Sequence, residues 1–412
     1  MTLKNKFIKS LNKLLSEPIL FITIVPALIV FIVVFFLRPL ILFRFGFFHS
    51  DRLGHFTVNT EIFFCENLNK RNVKNKVVDL YYFPSKPCND QVAKMINRKV
   101  KVYPKFLIRP FCLVSRSLSI LSSHVTGRSS NSDYDTNHLL DKTKFQLNLS
   151  KKEIENGDKI LKENNLNKNN IICIGVRDSS YLKKTYKKQD FSYHDHRNDD
   201  IKKYIPGIKF LLKKGYTVIR MGSITDKKLN IKHKNFLDYS NSNLKSDFMD
   251  VYISYICKLF ISNNTGLDAI AVMFRKPILH IGSLPFGAIS TFSKRYYNTM
   301  SNYYSYEKKR FLKQTEIFNL NVQYLWRKED FKKKKIKIIH PTKNEILKYF
   351  KETISIFKNH KKNKNHILLE KKFKKIYSKY VKKYPDGKKQ YHNIIKTNIL
   401  YSFLLINKHL LR

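Results

Sequence analysis

Asn170-Ile171-Ile172-Cys173-Ile174-Gly175-Val176 is an uncharged run that follows an Asn- and Lys-rich turn. A short continuous apolar run bounded by turn residues reads as a strand buried on both faces. The residues on either side extend the pattern. Residues 151–163 are amphipathic and lead into the strand. Residues 199–214 carry Ile201, Tyr204, Ile205, Ile208, Leu211 and Leu212 at helical spacing and stop at Gly215. Residues 216–221 read as a strand, and 246–257 as a helix with Ser246 or Asp247 placed to cap it. A strand over 259–262, a helix over 267–274 and a strand over 277–281 follow. Alternation of this kind predicts a parallel sheet covered by helices on both faces.

Upstream the pattern is looser. Residues 77–83 read as a strand closed by Pro84, 89–98 as a short helix, 100–103 as a strand, and 106–121 as a helix with Pro110 early in it. Residues 125–145 are rich in Ser, Asn, Asp and Thr and read as a linker. From 328 onward the chain is basic and helical, and Thr342 with Glu345 forms a capping-box pattern ahead of Ile346, Leu347 and Phe350. The expected architecture is α/β: residues 1–45 a basic segment and membrane anchor, 46–150 a first Rossmann-like domain, 151–330 a second, and 331–412 a basic helical C-terminal region.

Lys4, Lys6, Lys9 and Lys13 precede a nearly uncharged run over residues 18–37. A helix crosses a bilayer with about 20 apolar residues, and this run exceeds a typical signal-peptide core. Pro26 is tolerable in a membrane helix. Arg38 and Arg44 follow, so both ends are basic and orientation is open. A buried core helix and a helix that dips into one leaflet and returns are the alternatives.

Net charge is +48, from 79 Lys and Arg against 31 Asp and Glu. A field of that sign attracts nucleic acid, an anionic membrane or phosphorylated substrates. Nucleic acid ranks last, because no zinc-knuckle spacing, RNP-like run or basic heptad is present. Abundant Lys, Asn and Ile also fit an AT-rich genome. Five scattered cysteines without CxxC spacing fit a reducing compartment, and hence a cytoplasmic catalytic part.

Four segments carry candidate chemistry. Asp51-Arg52-Leu53-Gly54-His55 with Asn59-Thr60-Glu61 lies where a first strand would turn into a first helix. Gly54 lets backbone approach a ligand, and His55 is a proton acceptor, with Asp51 or Glu61 as substitutes. Gly175-Val176-Arg177-Asp178 ends a strand, where open parallel sheets bind ligands, and Arg177 has the planar fork that grips phosphate. Arg197-Asn198-Asp199 precedes a helix that Asn198 or Asp199 would cap, and Arg220-Met221-Gly222 puts another cation at a strand end. Ser262-Asn263-Asn264-Thr265-Gly266 is a strand-to-helix turn with free amides and a hydroxyl, an expected anion site at a helix N-terminus. Walker loop, nucleophile elbow, HExxH and a DxD in fitting context are absent from the sequence. His194-Asp195-His196 reads as a solvated loop ahead of a metal cluster.

Arg197-Asn198-Asp199-Asp200, Val218-Ile219-Arg220-Met221-Gly222, Asp238-Tyr239, Ser246-Asp247-Phe248-Met249-Asp250 and the Gly266 turn stand in the order of a family of bacterial glycosyltransferases, which this chain resembles over residues 45–300. Arg52-Leu53-Gly54-His55 with Asn59-Thr60-Glu61 looks like that family's N-terminal motif. The turn at 262–266 is more distantly similar to the nucleotide-phosphate loop of heptosyltransferase-like GT-B enzymes, which have an acidic residue where Asn264 stands. The resemblance implies an acceptor-binding first domain, a second domain that holds a nucleotide-sugar donor, and chemistry without a bound metal or cofactor. The expected acceptor is a cell-envelope glycan or lipid-linked sugar at an anionic membrane. A nucleotide-sugar epimerase on the same fold and a non-catalytic scaffold for polysaccharide assembly are the rivals.

Overall fold

The computed structural model describes residues 18–68, 76–127, 135–178, 180, 190, 192–222, 225, 227–263, 265–358, 361–381 and 395–412. The chain divides into two compact units, residues 1–133 with 146–148, and residues 134–145 with 149–412. Each is a mixed α/β assembly around a parallel sheet.

Unit 1 runs α1 (Pro18–Phe36), β1 (Ile41–Phe47), a π-helical turn (His55–Asn59), α2 (Thr60–Asn67), β2 (Lys76–Tyr82), α3 (Asp90–Lys99), β3 (Val102–Tyr103), α4 (Lys105–Ser117), a 3-10 turn (Ser119–His124) and β4 (Val125–Thr126). Its four strands lie in the order β3-β2-β1-β4, all parallel. β1 is hard to read in the sequence because Arg44 interrupts it. In the fold Arg44 stands opposite Asp79 on β2 and grips it with two bonds of 2.6 and 2.7 Å. A bidentate pair of this kind is strong and geometrically specific. Arg44 is therefore a strand residue rather than the flank of a membrane helix. Gly46 is dictated by the β1–β4 approach, since a Cβ there would lie 2.5 Å from the Thr126 carbonyl oxygen. The expected helix over 106–121 ends at Ser117, and the expected linker contains β4.

α1 differs from a free membrane helix. Ala27 and Phe31 are buried on α4 and the sheet, with Ile24, Val34 and Phe35 packed beside them. Among the described residues, no helix is long and apolar enough to cross a membrane; the side chains of residues 18–21 lie outside that set.

Unit 2 contains α5 (Lys151–Glu163), β5 (Ile171–Gly175), α6 (Ile205–Lys213), β6 (Thr217–Met221), β7 (Phe236–Leu237), α7 (Asp247–Ile256), β8 (Leu259–Ser262), α8 (Asp268–Met273), β9 (Ile278–Ser283), β10 (Tyr296–Met300), β11 (Asn302–Ser305), β12 (Arg310–Phe311), β13 (Ile336–Ile339), α9 (Lys343–Phe357), α10 (Lys364–Val381), β14 (Asn398–Ile399) and α11 (Tyr401–Ile406). Seven parallel strands lie in the order β14-β10-β9-β8-β5-β6-β7. The Thr342–Glu345 capping box opens α9, and Ser246 caps α7. Residues 331–412 are not an appendage. Phe350 of α9, Phe373 of α10 and Phe403 of α11 join Ile172, Leu211 and Ile261 in one buried core, and β14 extends the sheet. Each such side chain contributes about 1.5–3 kcal/mol on full burial.

Glu61 fastens the connector of unit 1. Its buried carboxylate accepts from the amides of Gln146 (2.8 Å) and Leu147 (3.0 Å). Glu61→Ala strands both amides. Loss of two hydrogen bonds to a charged group costs about 3 kcal/mol, measured as a lower denaturant midpoint; an unchanged midpoint would show that the connector holds without Glu61.

Candidate functional site

β5 is the switch point of the unit 2 sheet: β6 and β7 add on one side of it, β8, β9 and β10 on the other. In open parallel sheets ligands bind beyond the strand ends at such a boundary. Gly175 stands opposite Ser262 across that boundary. Arg177 follows the first strand, and the turn from Ser262 to Gly266 follows the second.

Side chains knit the two together. Asn263 Oδ1 accepts from the Arg177 amide at 2.7 Å. The Arg177 carbonyl accepts from the Asp199 amide at 3.1 Å, and Asn263 Nδ2 lies 3.5 Å from the Arg197 carbonyl. Ser262 Oγ donates to Asp268 and accepts from the Thr265 amide at 3.1 Å. Gly175 keeps the space clear, because a Cβ there would sit 3.0 Å from the Phe260 ring and 3.3 Å from Thr265 Oγ1.

The electrostatics are unbalanced. Burial and the neighbouring Arg177 charge pull Arg197 down to about 10, opposed by Asp268. Burial likewise lowers Arg177, opposed by Asp195 and Tyr193. Burial pushes Asp268 up to about 7, against the Ser262 hydrogen bond and the Arg197 charge. Arg177 Nε and Thr265 Oγ1 are shielded from solvent and have no hydrogen-bond partner among the described residues. Arg197 lies over the ring of Trp326 at 5.3 Å, a favourable cation–π contact. Two guanidinium groups, the Arg177 charge depressing Arg197, stand beside an unpartnered donor and hydroxyl and are arranged to receive an anion with several oxygens.

The other expected site residues lie as follows. Arg220 is buried in β6 and bound to Asp238 (3.1 Å) and the Lys227 carbonyl, so its fork is consumed inside the fold. A Cβ on Gly222 would lie 2.8 Å from the Thr225 side chain, so this glycine serves a close approach within the fold. Gly266 has open space beside it. Asn264 lies outside the described residues. α8 has six residues and begins at Asp268, so positive charge at this site comes from guanidinium groups rather than a helix end. The motif residues Asp238, Tyr239, Ser246 and Asp250 are structural: Tyr239 donates to Asp250 at 2.8 Å and accepts from the Ser246 amide at 3.1 Å.

In unit 1, the Asn59 amide nitrogen lies 2.9 Å from His55 Nδ1, and His49 packs beside the ring. Asp51 and Arg52 are exposed, 3.9 Å apart. Gly54 is right-handed with open space beside it. Glu61 is taken up by the connector. Among the described residues, no cluster of three or more His, Cys, Asp or Glu is placed to hold a metal. His196 of the His194–His196 segment donates from Nδ1 to the Tyr193 carbonyl (3.1 Å), and burial pulls it down to about 4.

Sequence reasoning passed over Arg197, Asp268 and Trp326. Arg197 stood inside a marked segment whose Asn and Asp drew the capping interpretation. Asp268 was legible as the acidic residue just after the turn's glycine.

No family model matches the sequence, and no curated protein matches it. Solved structures similar to the chain include the glycosyl transferase family 9 protein from Veillonella parvula DSM 2008, at a TM-score of 0.37 and 10% identity, over 57% of this chain and 79% of that one. The E. coli ADP-heptose lps heptosyltransferase II aligns at a TM-score of 0.33 and 14% identity, over 59% and 86%.

Asp268 gives the site a pH dependence. Its raised pKa means the folded state favours the neutral carboxyl; that stabilisation is present in acid and is lost as pH rises through about 7. Sulfate, whose charge is constant over this range, should bind several-fold more weakly above pH 8 than at pH 6, and Asp268→Asn should flatten the curve. A sulfate titration followed by calorimetry reads this directly; a flat wild-type curve removes Asp268 from the site.

Proposed function

We propose that the chain is a glycosyltransferase in which unit 2 holds the diphosphate of a nucleotide-sugar donor. One observation carries this: neighbouring half-buried guanidiniums of Arg177 and Arg197, with Arg177 Nε and Thr265 Oγ1 unpartnered among the described residues, at the switch point of a parallel sheet. A diphosphate diester supplies the two charges and several acceptors that such a site lacks. The sequence resemblance, with its GT-B-like arrangement of two Rossmann-like domains, supports the same reading.

In the proposed reaction the bond from the anomeric carbon to the phosphate oxygen breaks, and its electron pair leaves with the nucleoside diphosphate. Arg177 and Arg197 stabilise that growing charge where a metal-dependent transferase would use a cation. The acceptor hydroxyl oxygen bonds to the anomeric carbon and gives its proton to His55, the base proposed in unit 1. Asn59, whose amide nitrogen lies 2.9 Å from His55 Nδ1, orients the ring for that role. The acceptor is a glycan or lipid-linked sugar, reached at an anionic membrane through α1. Five free cysteines favour the cytoplasmic side.

Trp326 is the only tryptophan in the chain, so its emission reports occupancy of the site. A panel of nucleotide sugars should include one that shifts this emission. Arg177→Ala and Arg197→Ala should each weaken that donor about ten- to hundred-fold, the worth of a charge-assisted hydrogen bond. His55→Ala should keep donor affinity and lose about 10²–10⁴ in transfer rate. Donor affinity indifferent to both arginines would sink the assignment.

A further inference from the structure

α1 buries only one stripe. Ile24, Ala27, Phe31, Val34 and Phe35 face unit 1, at helical spacing of three and four. Among the described side chains, the opposite face is also apolar and open: Ile22, Ile29, Ile32, Val33 and Phe36 are each more than half exposed. A helix that packs on a domain normally turns a polar face to water. Here the outward face has none, and a contiguous apolar surface of this kind marks a partner or a membrane.

The elements that α1 packs against continue the surface. Phe31 touches Phe45 of β1 and His124 of the 3-10 turn, with ring centroids 5.7 and 5.2 Å apart. Phe106 and Leu107 at the start of α4, and Leu118 and Ile120 around the 3-10 turn, are all about half exposed or more. Residues 18–50 and 100–127 contain no Asp or Glu. Exposed Arg38, Lys101, Lys105 and Arg116 lie among the apolar side chains. Arg38 and Arg116 rest over Phe35 and Phe47 at 4.2 and 4.4 Å. Long basic side chains with apolar stems suit the headgroup level of an anionic bilayer.

The stripe from Ile24 to Phe35 covers ~16 Å of helix at about 1.5 Å per residue. A helix standing across the ~30 Å hydrocarbon core would drag α4, with Lys105 and Arg116, into the apolar layer. Lying in the interface, it puts its open face into the acyl chains and leaves the basic groups at the phosphates.

We propose that unit 1 is monotopic: α1, the start of α4 and the 3-10 turn form one in-plane surface that enters a single anionic leaflet. This rests on the membrane placement proposed above and replaces a spanning anchor with a three-element contact. Charge complementarity selects the bilayer over a second copy of the chain, because two such surfaces would bring their basic side chains together.

The test uses the full chain with an epitope tag at each end, reconstituted into phosphatidylglycerol–phosphatidylcholine vesicles. Both tags should be cut together by external protease, and flotation should fall at least ten-fold in Phe106→Ser/Leu107→Ser or Leu118→Ser/Ile120→Ser, whose circular dichroism melts should match wild type. Tags on opposite sides overturn the in-plane contact and leave the membrane placement standing. Unchanged flotation in both pairs confines the contact to α1 and also overturns the proposal. Absence of flotation in wild type, with a stable dimer in solution, overturns both this and the membrane placement while leaving donor binding untouched.

Discussion

Unit 2 depends on holding positive charge at the edge of a dry core. The sheet buries nearly every side chain of β5, β6, β8 and β9, so the first polar groups after β5 and β8 emerge at the boundary of a low-dielectric interior. Charge is costly there unless paired. Arg220 meets that demand with Asp238. Among the described residues, Asp195 and Tyr193 oppose the charge of Arg177, and Asp268, itself pushed up by burial, opposes that of Arg197. The same chemical group is thus structural in one strand and left expectant beside the next, and the difference is whether a carboxylate is within reach.

The backbone geometry makes that contrast possible. Asn263 anchors the Arg177 amide, and Arg177 in turn anchors Asp199. The two arginine-bearing loops are therefore tied through main-chain groups, which leaves their guanidinium ends free of that duty. Ser262 serves the turn in a similar way by linking Asp268 to the Thr265 amide.

Much of unit 2 was legible because buried parallel strands announce themselves. Residues 259–262 and 151–163 match β8 and α5 at both ends, and Ser246 and Thr342 cap the helices they were expected to cap. Unit 1 was less legible, since Arg44 and Asp79 sit inside strands and cancel each other only after β1 and β2 align. At the site, Arg177 and the 262–266 turn could be placed by position alone. Arg220 could not be told from them, because its partner Asp238 is 18 residues away and only folding reveals the pair. Glu61 reads in the sequence as a substitute proton acceptor, yet its amide partners lie 85 and 86 residues downstream.

β14 has a consequence for biosynthesis. It closes one margin of the seven-stranded sheet, where Thr397 is bonded to Asn298 across about a hundred residues. Until the ribosome has released that segment, β10 presents an open row of amides and carbonyls to whatever strand is nearby. Nascent chains of this protein therefore carry an unsealed margin until β14 emerges, and premature termination upstream of Thr397 converts a transient hazard into a permanent invitation to aggregate.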